Sequence, residues 1–263
     1  MNKTLNLSIV FLGILSFLAC STSDDNATET TTTTTTETAG TGTGTTTVPA
    51  VYSKIYGASS ITTDGTYVTI KTNGQPDHKS VYYPTANAKY EAFSGTTTFG
   101  NYTFKKNPNT ISLTNAYTFK IPLNPVVAAK HASTPLSAIG VAINGVPLFN
   151  QYAGPNQPLT DEFQSFDQYW GHPTGTSMYH YHIEPLYLTQ TKGKEALMGF
   201  LLDGFPVYGP EENGAAVTGL DVYHGHTGIT VDYPNGIYHY HITNSDPYIN
   251  GNGFYGTAGT FSN

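Results

Sequence analysis

The sequence predicts a mainly β protein. Its antiparallel sheets are sandwich or barrel-like, carry a tandemly duplicated hairpin unit, and leave room for at most one or two short helices. Three observations predict this. Aromatics make up 13% of the 263 residues, with 20 Tyr and 13 Phe, against 11% charged residues. That balance suits pleated, half-buried surfaces better than amphipathic helices. Gly (27) and Pro (16) supply turns throughout. Finally, two motifs recur at one spacing. IGVAINGVPLF (139–149) precedes MGFLLDGFPVY (198–208) by 198 − 139 = 59 residues, and YHYHI (179–183) precedes YHYHI (238–242) by 238 − 179 = 59. A shared offset for two separated motifs is the mark of tandem duplication, with units of about 139–184 and 198–243.

Taken in chain order, Lys3 and the largely apolar stretch Leu5–Leu18 read as a signal peptide over residues 1–19. Phe17-Leu18-Ala19-Cys20 resembles a bacterial lipobox, which makes Cys20 the lipidation site and the membrane, through that lipid, a partner. Residues 20–50, with the run Thr30–Thr36, hold nothing that can build a core and read as a disordered tether. The expected location is the bacterial outer membrane or cell surface. Cys20 is the lone Cys, so the domain over 51–263 has no internal disulfide and depends on its core, a metal, or both.

Within that domain, alternation predicts strands at 67–72, 102–105, 110–114 and 117–121. Leu159, Phe163, Phe166 and Tyr169/Trp170 recur at helical spacing, which predicts one helix with Thr160 as N-cap and Gly171 after its end. Asn144-Gly145 and Asp203-Gly204 sit between apolar runs as hairpin turns, with positive φ expected at both turn positions. Tyr-His-Tyr-His is a strand whose two Tyr face one side and two His the other.

Charge excludes one class of function. The formal charge is −7 and all 11 basic residues are Lys, so neither a nucleic-acid surface nor an Arg phosphate clamp is available. There is no Gly-x-Ser-x-Gly elbow, His-Glu-x-x-His helix or P-loop. Gly175 to Glu184 lies near the cupin metal motif, but it is one residue short before the His pair and its Glu comes too soon.

The chemistry concentrates in histidine. Seven of the nine His fall between 172 and 241. His-x-His on a strand puts two imidazoles on one face, roughly 6.5–7 Å apart at Cα, within reach of one ion. The expected ligands are His180, His182, His239 and His241, joined by His172 and His226 from the two Gly-His steps. Asp203 and Glu184 are the candidate supporting or ligating carboxylates. Imidazole donors suit Cu or Zn. A pseudo-twofold axis between the units is expected to bring both His pairs to one shared ion. His131 and His224 have no repeat partner and are expected at the surface. A single buried His more often hydrogen-bonds to backbone than binds metal, and the four Tyr of the strands are expected as core residues.

The doubled Tyr-His-Tyr-His, Asp203-Gly204-Phe205-Pro206, Gly171-His172-Pro173 and Pro76-Asp77-His78-Lys79-Ser80 together resemble the YHYH domain family over residues 70 to 255. The resemblance implies an exported bacterial protein and little defined chemistry. It also implies a site role for His78, which spacing alone leaves unassigned. Relatives carry Cys in the last segment, where this chain has Tyr255-Gly256. The leading expectation is a surface-tethered metal-binding domain. Its rivals are a metal-dependent hydrolase or oxidase, and a carbohydrate-binding or adhesive module that stacks glycan on exposed Tyr and Trp170.

Overall fold

A computed structural model of the chain describes residues 47–97 and 99–263. Cys20, the signal segment and the tether up to residue 46 lie outside the described residues. The strands are β1 (Ala58–Thr63), β2 (Tyr67–Thr72), β3 (Tyr117–Pro122), β4 (Gly140–Ala142), β5 (Pro147–Leu148), β6 (Tyr152–Ala153), β7 (Gln157–Pro158) and β8 (Gly171–Pro173). They continue as β9 (Tyr179–Tyr181), β10 (Leu197–Leu201), β11 (Pro206–Tyr208), β12 (Glu211–Glu212), β13 (Ala215–Ala216), β14 (Gly225–Gly228), β15 (Ile237–His241) and β16 (Thr260–Ser262). The protein is mainly β, as its composition predicts, and no sheet closes into a barrel.

Four antiparallel strands form one sheet in the order β1-β2-β3-β16. Strand β3 alternates buried and half-buried residues, so one face lies on the core. Eight strands form the second sheet, in the order β14-β15-β11-β10-β4-β5-β9-β8. That order is a palindrome of the duplication: the hairpin β4-β5 with β9 and β8, then its copy β10-β11 with β15 and β14. The halves meet where β4 pairs antiparallel with β10. There Val141 faces Phe200, residues that the duplication makes equivalent (200 − 141 = 59), so a local twofold axis passes between them. Within each half the YHYH strand lies parallel to the second hairpin strand, β5 with β9 and β11 with β15, which makes this sheet mixed rather than purely antiparallel. Val68, Ile70, Phe119 and Ile121 of the first sheet share one core with Val141, Phe200, Tyr181 and Tyr240 of the second.

The axis exists, but it separates the His pairs. Strands β9 and β15 stand five inter-strand steps apart in the sheet, about 24 Å at ordinary strand spacing. The shared ion expected from the duplication is therefore replaced by two separate locations, one per unit.

Three local expectations also change. The segment around Leu159–Trp170 holds two 3-10 turns, Leu159–Asp161 and Phe163–Ser165, and then extends at Phe166. Side chains compete with the helix ladder here: Ser165 Oγ donates to the Glu162 carbonyl, and Asp167 Oδ1 accepts from the Tyr169 and Gly171 amides. Gly171 opens β8 instead of ending a helix. The α-helix among the described residues is α1 (Leu186–Lys192), whose first turn bonds to the Pro185 carbonyl and which stops at Gly193. Residues 102–105 and 110–114 form no strand; apart from the bridge of Thr103 to Thr96, their backbone bonds go to loops, as from Ile111 to Tyr82, and the second segment bends at Leu113 and Thr114. In both hairpin turns only the glycine, Gly145 or Gly204, has positive φ. The turns are thus of the three-residue kind with a bulge glycine, in place of the two-residue turn expected.

Candidate metal centres

Each unit gathers three imidazoles by the same construction. A Gly-His strand pairs with the YHYH strand so that His172 lies opposite His180, and His226 opposite His239. The glycine is required by close approach. A Cβ on Gly171 would stand 2.4 Å from the Tyr179 hydroxyl, and one on Gly225 the same 2.4 Å from that of Tyr238. Each tyrosine crosses its glycine to donate to an aspartate, Tyr179 to Asp167 at 2.8 Å and Tyr238 to Asp221 at 3.0 Å. The pair Asp167 and Asp221 share the 54-residue offset of the two Gly-His steps (221 − 167 and 226 − 172), so the whole corner is duplicated.

On the opposite face of β9, His172 Nε2 lies 3.1 Å from His180 Nε2, which lies 2.8 Å from His182 Nε2. In the second unit His226 Nε2 lies 3.0 Å from His239 Nε2 and 3.2 Å from His241 Nε2. Such contacts would be hydrogen bonds if one nitrogen carried a proton, but the Nδ1 partners place the protons elsewhere. His180 Nδ1 donates to the Met178 carbonyl, His182 to Asn150, His239 to Ile237 and His241 to Gly209. For His172 the acceptor is Ser165 Oγ at 2.7 Å, whose own proton goes to the Glu162 carbonyl. A carbonyl cannot donate, so His180, His182, His239 and His241 carry a proton at Nδ1 and, when neutral, are bare at Nε2; the Ser165 contact arranges His172 the same way. In the first centre three such Nε2 atoms converge within about 3 Å; in the second, His239 and His241 turn bare Nε2 atoms to the Nε2 of His226.

A carboxylate stands beside each group: Glu212 lies within ligand reach of all three imidazoles of its unit, whereas Glu162 faces two of the three in the other. Glu162 Oε2 is 3.4 Å from both His172 Nε2 and His182 Nε2. Glu212 lies 3.6 Å from His226 Nε2 and 3.9 Å from His239 Nε2. These two glutamates come from unrelated positions. Glu212 sits on β12, and its counterpart in the first unit is Ala153 (212 − 59) on β6; Glu162 comes from the 3-10 segment that follows β7.

Burial sets the protonation state. It pushes His182 down to about 4, with the neighbouring His172 acting in the same sense, and pushes His241 down to about 4 as well. His180 falls well below the ordinary histidine value for the same reason, reinforced by His182 and His172. Burial opposes ionisation of Glu162, and positive charge at the facing His172 and His182 is what lowers its carboxyl; with those rings bare at Nε2, that charge would have to come from a bound cation. Phe149 stacks on His180 at 4.0 Å, and Phe166 meets His172 edge-on at 4.9 Å.

The other expected site residues stand apart. His78 is buried among Tyr169, Tyr181 and Tyr187, and its Nε2 lies 3.0 Å from the Tyr181 hydroxyl, on the tyrosine face of β9. Asp203 accepts from Tyr240 and from the Gly256 amide on the tyrosine face of β15, and burial raises it to about 6. Glu184 accepts from Thr189 of α1. None of the three touches an imidazole of a centre. His224, expected at the surface, is buried with φ 69°, matching Trp170 (φ 67°) of the first unit. His131 is half-buried and stacks on Tyr223. Sequence reasoning missed Glu162 and Glu212, because no repeat offset relates them; the Asn213-Gly214 step is the signal that could have found the hairpin carrying Glu212.

The family model described as YHYH protein matches residues 118–216 and 211–253 of the chain. No curated protein matches, and no solved structure matches.

Proposed function

We propose that this chain, a member of the YHYH family, binds a transition-metal ion at each of two three-histidine, one-glutamate centres, with Cu or Zn as the ions that suit the donors. The observation that carries the reading is the convergence of bare Nε2 atoms. Lone pairs at 2.8–3.1 Å in the first centre repel one another, and a cation between them removes the repulsion; in the second, the bare Nε2 atoms of His239 and His241 stand 3.0 and 3.2 Å from that of His226. At Zn–N distances of about 2.05 Å, nitrogen ligands lie about 3.4 Å apart on a tetrahedron and about 2.9 Å apart on an octahedral face, so the observed edges fit a common ion. The duplicated fold with unrelated glutamates supports it further, since each unit adds a carboxylate from a different element.

A second reading, metal-dependent hydrolysis or oxidation, draws support from the clefts of about 560 and 540 Å³ onto which the two centres open. The glycan-binding reading loses Trp170, which is buried, and is left with exposed tyrosines such as Tyr56 and Tyr152 as its stacking surface. The lipobox supports anchoring of the chain to the outer membrane or cell surface through Cys20; Cys20→Ala is then expected to move the protein from the membrane to the soluble fraction, and unchanged retention contradicts the anchor. For the metal, chelator-treated protein titrated with Zn²⁺ or Cu²⁺ should gain thermal stability as concentration rises past Kd. A melting temperature indifferent to both ions contradicts the proposal.

A further inference from the structure

We infer that the first centre takes an oxyanion, a carboxylate or a phosphate, as an additional ligand on its metal; this rests on the metal reading above. A bare ion needs no more than the gap between four donor atoms. The cleft of about 560 Å³ that His172, His180, His182 and Glu162 line is of the size that holds a small molecule. Three imidazoles and one carboxylate also leave positions free on an ion that accepts five or six ligands.

The charges around the cleft choose the ligand class. Lys105 and Lys106 are exposed on its wall. Neither belongs to an ion pair among the described residues; Lys106 Nζ only overlies the Tyr82 ring at 5.6 Å. Opposing them are Asp161 and Glu162, the second of which is turned to the imidazoles. With a divalent ion in place, the cleft is net positive and presents two uncompensated ammonium groups beside a Lewis acid. Leu136 and Phe149 add an apolar wall. The second cleft lacks this bias. There Lys194 is tied to Glu211 at 2.8 Å, which leaves Lys192 alone outside an ion pair among the described residues, and Glu195 and Glu212 add negative charge. The two centres thus share donors and differ in what they admit.

The test uses the full chain carrying His239→Ala with His241→Ala, so that only the first centre remains, loaded with Co²⁺ and titrated with acetate or phosphate at constant ionic strength. Metal content, measured first by elemental analysis, reports on the metal reading; the visible spectrum of the bound Co²⁺ reports on the inference. The expected result is a saturable spectral change with one or both anions, and roughly tenfold weaker anion affinity with unchanged metal content when Lys105→Ala and Lys106→Ala are added. Acetate alone identifies a carboxylate ligand, and phosphate alone a phosphate. Where the parent variant does not fold, the same titration is run on the unmutated chain with both centres loaded, since the two lysines are exposed. A loaded centre that ignores both anions, or lysine variants with unchanged affinity, overturns the inference and leaves the metal reading standing. A folded chain without metal overturns both.

Discussion

A backbone carbonyl beside a ring nitrogen decides which imidazole nitrogen is free. By taking the Nδ1 protons of His180, His182, His239 and His241, four carbonyls aim bare Nε2 atoms inward. Burial then keeps the rings neutral. The sign of the pH effect follows. In the unfolded chain a histidine protonates near 6.5, whereas His182 and His241 in the fold protonate only near 4. Between those values the unfolded chain binds more protons, so stability is complete above about 6.5 and is lost as pH falls toward 4, by about 3 kcal/mol for each ring in metal-free protein. Urea denaturation of chelator-treated protein at pH 7.5 and pH 5 checks this; equal stability at both contradicts it. Metal should correspondingly be held to lower pH than an unshifted histidine would permit.

At the scale of elements, the Gly-His corner couples the histidine face to the tyrosine face of one strand. Gly171→Ala pushes a methyl group into the fully buried Tyr179 ring, while a Cβ on Gly175, four residues on, meets nothing within 4 Å. The expected cost is about 1–3 kcal/mol for the first and under about 0.5 kcal/mol for the second. Denaturant midpoints of the two variants measure the contrast, and equal midpoints contradict the packing argument. This corner was half legible in the sequence. Tyr-His-Tyr-His announced a two-faced strand, and the Gly-His steps announced a second duplicated element. Asp167 and Asp221 stayed hidden, because the offset slips from 59 to 54 between hairpin and corner and returns at the YHYH strand. The expected helix over 159–170 failed for a related reason. Its apolar spacing was real, but Ser165 and Asp167 bond to nearby backbone and break the ladder that spacing alone would allow.

For the whole molecule, the duplication sets the number of sites. Twofold symmetry could have placed the YHYH strands together or far apart, and the repeat itself carries no information on which edges meet. The seam formed at β4 and β10, the first strands of each unit, because both are apolar on both faces and need cover. That choice sends the histidine strands outward to separate clefts. The two histidine clusters therefore share no residue, and on the proposed reading each binds its own ion.

The measurement that tests this most directly is metal content by elemental analysis of the purified, folded chain and of two paired variants. Two ions per chain are expected. His180→Ala with His182→Ala should leave one ion, His239→Ala with His241→Ala should leave one, and all four substitutions should leave none, with losses that add because the sites share no ligand. One ion per chain that either pair abolishes, or a folded quadruple variant that keeps its full metal content, would contradict the account.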